Sequence, residues 1–83
     1  MNHVLVVDDE LDIRRTLEAI LAEEGYAVTT AATASEALDL VRDAIFDAVL
    51  LDVWLPDRDG LEVLQDIRAM DGGTGPEVVI SSG

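Results

Sequence analysis

The sequence predicts an α/β domain with an open, doubly wound parallel sheet, and three observations carry that prediction. Three short apolar runs, "VLVV" (4–7), "AVLL" (48–51) and "VVI" (78–80), are uninterrupted by polar residues. Such runs suit strands buried on both faces rather than strands with one wet face. Helical periodicity fills the intervals between them, and this alternation generates parallel sheets with right-handed crossovers. Two of the runs also end in aspartate, at Asp8–Asp9 and at Asp52. In open sheets of this kind, ligands bind outside the carboxyl ends of the strands, where strand order reverses.

Each element has its own local reason. The first run, Val4–Val7, leads into a helix over Leu11–Glu24, where Ile13, Leu17, Ile20 and Leu21 form one apolar stripe. Gly25 stands at the position of a helix C-terminal glycine. "YAVTTAA" (26–32) is a weaker strand, and its polar content places it at a sheet edge. "TASEALDLVRDA" follows, with the T-x-x-E capping pattern at Thr33 and Glu36 and a buried face of Ala34, Ala37, Leu38 and Val41. After the second full run, Pro56, Asp57, Asp59 and Gly60 suit a turn and a helix start. The third helix has Leu61, Leu64 and Ile67 as its apolar face, with Arg68 as a snorkelling stem. "DGGTGPE" (71–77) ends that helix in a glycine-rich loop before the last strand.

Composition narrows the class. The 83 residues allow one small domain, and 49% hydrophobic residues supply a core with little to spare. There is no cysteine, hence no disulfide and no thiolate metal site. No apolar stretch approaches the roughly 18 residues of a membrane span, and the N-terminus lacks the pattern of a secretory signal, so a cytoplasmic setting is expected. Five basic residues, all arginine, stand against 18 acids, for a net charge of −13. That field disfavours nucleic acid and anionic membranes and favours cations or a basic partner surface. Most of these acids read as a solvated surface.

Three carboxylates at one sheet edge repel one another, and sharing a cation relieves that cost. An all-oxygen site with few protein ligands suits Mg²⁺. Asp8, Asp9 and Glu10 also fit a simpler role, capping the first helix; Asp52, at the end of another buried run, tips the balance toward a metal site. Asp52 could itself cap the following turn, but that turn already has its own residues. A carboxylate in this place is a candidate nucleophile toward phosphorus, giving an aspartyl phosphate.

"VLVVDDE", "AVLLDVWLPDRDG" and "PEVVISSG" together resemble the receiver domain of bacterial two-component response regulators, and the likeness runs over the whole chain. "DVWLP" and "VVISSG" are most similar to receivers of nitrogen-regulation-type transcription activators. The resemblance implies a flavodoxin-like sheet in order 2-1-3-4-5 and a phosphoacceptor at Asp52, charged by the phosphohistidine of a sensor histidine kinase. It implies a Mg²⁺ site made by Asp8, Asp9, Asp52 and the backbone carbonyl of Trp54, with Asp9 touching the ion directly and Asp8 acting largely through water. It implies a switch hydroxyl at Ser81, with Ser82 as a small neighbour. Trp54 either shields the acceptor from water or packs on its loop. Any enzymatic activity is limited to self-phosphorylation and autodephosphorylation. An aspartyl phosphohydrolase on a similar sheet carries a second acid two residues after its nucleophile, where Trp54 stands here.

Receivers of this family run to about 120 residues. Against that pattern the sequence corresponds to about (βα)3β, without the fourth helix, fifth strand and fifth helix. The lysine expected at the end of the fifth strand is absent, since the 83 residues contain no lysine. The last strand is then expected to be an exposed apolar edge, with the flank of the first helix bare. A homo-oligomer follows, most simply a dimer through that edge. Two readings result: a phosphoacceptor module of a phosphorelay regulating transcription, or a non-signalling fragment that binds Mg²⁺ and self-associates but phosphorylates poorly.

Overall fold

Valine- and leucine-rich runs become strands because β-branched and bulky side chains pack well on a pleated, doubly covered surface. The computed structural model describes residues 2–53, 55–70 and 76–81, and of Met70 and Ser81 the backbone alone. Its elements alternate as the sequence predicts: β1 (His3–Val7), α1 (Leu11–Glu23), β2 (Ala27–Ala31), α2 (Ala34–Asp43), β3 (Ala48–Asp52), α3 (Gly60–Met70) and β4 (Glu77–Ser81). The expected loop over 71–75 lies outside the described residues. All pairings are parallel, and the sheet order is β2-β1-β3-β4. This is the doubly wound arrangement: the chain steps from β1 to one side, then crosses back to the other, so order reverses between β1 and β3.

Alternation of side chains divides the sheet into two faces. On one face Leu5, Val7, Val49 and Leu51 meet Ala34, Ala37 and Leu38 of α2 and Val63 and Ile67 of α3, closing the main core. Burying one such large side chain contributes about 1.5–3 kcal/mol. On the other face Val4 and Val6 are buried while α1, packed over β1 and β2, has no fully buried residue. Its stripe is present as a pattern, but Ile13 and Ile20 remain exposed. The bare flank expected for the first helix is therefore observed. Val79 of β4 is 50% exposed, as befits a strand at the end of the sheet.

The local signals hold where hydrogen bonds can be read. Gly25 takes φ +94°, and the amides of Gly25 and Tyr26 donate to the carbonyls of Ala22 and Leu21, closing α1 in a Schellman turn. The Thr33 hydroxyl accepts from the Glu36 amide and caps α2. One expectation fails. Leu61 of α3 is 53% exposed, and Val63 takes its place in the core together with Gly60 and Ile67. Arg68 is exposed. The reason lies at Gly60, where a helix start pressed against β3 fixes which side of α3 faces inward.

Candidate functional site

The carboxyl ends of β1 and β3 lie side by side because the two strands pair directly, with Val7 opposite Leu51. Asp8 and Asp52 therefore emerge together at the point of strand reversal. Asp8, Asp9 and Asp52 each bring a carboxylate oxygen into a group in which every pair lies within 4.8 Å. Asp8 and Asp52 are each only 8% exposed, whereas Asp9 faces solvent. Two nearly buried acids beside a third is an arrangement that simple surface solvation does not explain.

Local bonds fix the first of these acids. The Asp8 amide donates to the Ala31 carbonyl at the end of β2. One Asp8 carboxylate oxygen accepts from the Glu10 amide at 2.9 Å, and the Asp8 carbonyl accepts from the Arg14 guanidinium at 2.8 Å. Asp8 thus shapes the entry to α1 as well as belonging to the cluster, while the Glu10 side chain makes no cap bond. The helix-capping role expected for these acids is not made, since no side chain caps α1; the Asp8 bond orders the turn just before the helix. Arg14 escaped the sequence reading because a helix-surface arginine carries no sign that it returns to a strand end.

The loop after β3 is closed by Gly60, whose amide donates to the Val53 carbonyl at 3.0 Å. A Cβ at Gly60 would stand 2.7 Å from the Val53 Cα and 2.8 Å from the Asp52 carbonyl oxygen. The backbone of Asp52 and Val53 is thereby clamped against the start of α3. Leu55 is buried in the core. Asp57 reaches across to α2, accepting from the amides of Ala34 and Ser35 at 3.0 and 3.1 Å. The bond from Ala34, then that from Ser35, holds the Asp57 carboxyl below its ordinary value of 3.8. The neighbouring Arg58 turns to α3, pairing with Asp66 at 2.7 Å and Glu62 at 3.8 Å.

Ser81 pairs in register with Asp52 across β3 and β4, so its backbone stands beside the candidate acceptor. Its side chain lies outside the described residues, as do Trp54 and Ser82. The acids open onto a pocket of about 270 Å³ between α1 and the sheet. Val6, Ile13, Leu17 and Leu50 form its apolar floor, and Asp8, Glu10 and Asp52 its acidic rim.

The donor set fits a small, hard cation. Mg²⁺ takes oxygen ligands at about 2.0–2.1 Å, which puts opposite ligands roughly 4 Å apart. Oxygens grouped within 4.8 Å need only small side-chain adjustments, or an intervening water, to share such an ion. Binding would also offset the mutual repulsion of the three acids.

A doubly wound sheet with an acidic cluster at its switch point defines a class of α/β domain before any relative is considered. Within that class, this chain belongs to the response regulator receiver domain family, whose pattern matches residues 4–83. It is 41% identical over 80 residues to the transcriptional regulatory protein YkoG of Bacillus subtilis, covering 96% of this chain and 35% of that protein. It is 40% identical to the response regulator TrrA of Thermotoga maritima, whose crystal structure is a complex with Mg²⁺-BeF. The TM-score is 0.85, over 96% of this chain and 66% of that one. The chemotaxis regulator CheY4 of Vibrio cholerae superimposes with a TM-score of 0.92 at 31% identity, over all of this chain and 72% of that one. Chemotaxis and transcription-regulator receivers match alike, so these likenesses establish the family rather than a sub-family. The chain spans about a quarter to a third of the length of curated relatives that it matches, from 26% to 35%.

Proposed function

We propose that this chain is a phosphoacceptor of two-component signalling, taking a phosphoryl group on Asp52 from the phosphohistidine of a sensor histidine kinase. The observation that carries this reading is the nearly buried Asp52 carboxylate at the end of β3, grouped with Asp8 and Asp9 within 4.8 Å. In the reaction an Asp52 oxygen forms a bond to phosphorus as the phosphorus–nitrogen bond of the donor breaks, and the departing imidazole keeps the electron pair. Asp8, Asp9 and Asp52 would hold Mg²⁺, with the Trp54 carbonyl as a further ligand by family resemblance. A bound Mg²⁺ supplies charge neutralisation at the phosphoryl oxygens. The register that sets Ser81 opposite Asp52 supports a switch role for its hydroxyl.

The transcriptional regulation named for YkoG and its like belongs to proteins about three times longer, and for this chain it is a proposal about the output it would control. β4 is the last strand of the described sheet, and we infer that a second copy covers its outer edge.

The test is incubation with Mg²⁺ and a small phosphodonor, followed by intact mass. The wild-type chain is expected to gain one phosphoryl group and Asp52→Asn none. Equal incorporation by Asp52→Asn would remove Asp52 from the role. The second reading is a Mg²⁺-binding fragment that phosphorylates poorly. Quenching or enhancement of the single tryptophan by Mg²⁺, with no phosphoryl gain from the donor, would establish that reading instead.

A further inference from the structure

We propose that Asp57 is a positioning residue: by pinning the loop after β3 to the start of α2, it sets where Asp52 stands relative to Asp8 and Asp9. The inference rests on the phosphoacceptor reading above and names a residue outside the carboxylate cluster. It begins with an imbalance at the start of α2. That helix already has a local cap, the Thr33 hydroxyl, which takes the Glu36 amide. The two preceding amides, of Ala34 and Ser35, are taken by a carboxylate 23 and 22 residues further along the chain. A carboxylate accepting two backbone N–H groups makes a charge-assisted, directional anchor, and the positive end of the helix dipole adds to it.

The anchor joins a chain of bonds that runs around the site. The Asp8 amide is tied to the Ala31 carbonyl, three residues before Ala34. The start of α2 is tied through Asp57 to the loop, and the loop end is tied through the Gly60 amide to Val53, next to Asp52. The carboxylates of Asp8 and Asp52, at the two ends of this chain of bonds, lie in one group within 4.8 Å. Asp57 thus adds, beyond the direct pairing of β1 with β3, a second tie between the loop that follows Asp52 and the segment that follows β2. Among the described residues, buried Leu55 and the pairing of Arg58 with Asp66 hold the same loop to the core and to α3, and Asp57 alone of these reaches α2. Partners that orient the ligands of a metal site change its affinity typically about 10–100-fold when removed.

A helix cap alone would stabilise the fold without touching the site, so the test compares two caps of one helix. Asp57→Ala, Asp57→Asn and Thr33→Ala are each measured for thermal midpoint, for Mg²⁺ affinity from tryptophan fluorescence and from the amide shifts of Asp8 and Asp9, and for phosphoryl incorporation. Asp57→Ala is expected to weaken Mg²⁺ binding about 10-fold and to slow incorporation at saturating Mg²⁺. Asp57→Asn, which keeps one acceptor oxygen, should fall between it and wild type. Thr33→Ala should lower the thermal midpoint while leaving the Mg²⁺ affinity at the wild-type value. The proposal is overturned if Asp57→Ala lowers only the thermal midpoint, or if Thr33→Ala weakens Mg²⁺ binding equally. Should Asp57→Ala fail to fold, Asp57→Asn decides by the same comparison. A wild-type chain that neither binds Mg²⁺ nor takes phosphate would overturn the phosphoacceptor reading itself, and this inference with it.

Discussion

Gly60 has no room for a side chain, and the reason is the neighbouring backbone of Asp52 and Val53. Alanine would place its Cβ 2.7 Å from the Val53 Cα and 2.8 Å from the Asp52 carbonyl oxygen, both backbone atoms that cannot swing aside. Two effects compete in Gly60→Ala. Helix propensity favours alanine by up to about 1 kcal/mol, less at the first position of a helix. Forcing a methyl into a closed contact costs about 1–3 kcal/mol. The clash should win, so urea unfolding is expected to show a net loss of stability together with displaced amide resonances at Asp52 and Val53. A net gain would show that α3 can move away from β3 at no cost and that the Asp52 backbone is not clamped. The same contact explains why Leu61 turns outward while Leu64 and Ile67, expected on the same face, do pack on the core. Leu61, Leu64 and Ile67 make an acceptable helical stripe, but so do positions 60, 63 and 67. Glycine carries no apolar signal, and only the close approach at Gly60 selects the second set.

At the scale of elements, the start of α2 carries a pH-dependent anchor. Asp57 binds its proton less readily in the folded chain than its ordinary value of 3.8 implies, because the amides of Ala34 and Ser35 bond its charged form. As pH falls, the unfolded chain takes up the proton first. The stabilisation is therefore complete well above 3.8 and is lost as pH drops through the lowered folded-state value. Thermal midpoints of wild type and Asp57→Asn should differ most near neutral pH and converge below 3.8. A gap that persists at low pH would mean the anion is not what holds the loop. The strands, the order of elements, the caps at Thr33 and Gly25, and the pairing of Asp8–Asp9 with Asp52 were all legible in the sequence. Each is local, or follows from where a parallel strand must end. The Asp57 bridge was not legible: its partners are 22 and 23 residues away and are backbone amides, which have no sequence signature.

For the whole molecule, self-association is a contest between apolar surface and charge. Among the described residues β4 stands at the end of the sheet, with Val79 half-exposed, and a strand edge in that position invites pairing with another copy of these 83 residues. Each copy, however, carries a net charge of −13, and bringing two together opposes pairing over long range. Screening decides the balance: the Debye length falls from about 30 Å at 0.01 M salt to about 10 Å at 0.1 M, while backbone pairing is short-ranged and feels salt far less. Sedimentation equilibrium should therefore show monomer at low ionic strength and a growing dimer fraction as salt rises. Val79→Lys separates the two contributions. It makes the net charge less negative, which by electrostatics alone would favour association, yet a lysine on an edge strand opposes pairing. Loss of the dimer in Val79→Lys at high salt would place the contact at β4. Retention of the dimer in this variant, with loss in Ile20→Lys on the exposed side of α1, would move the contact to the first helix. A mass that stays monomeric at every salt and protein concentration would remove self-association altogether.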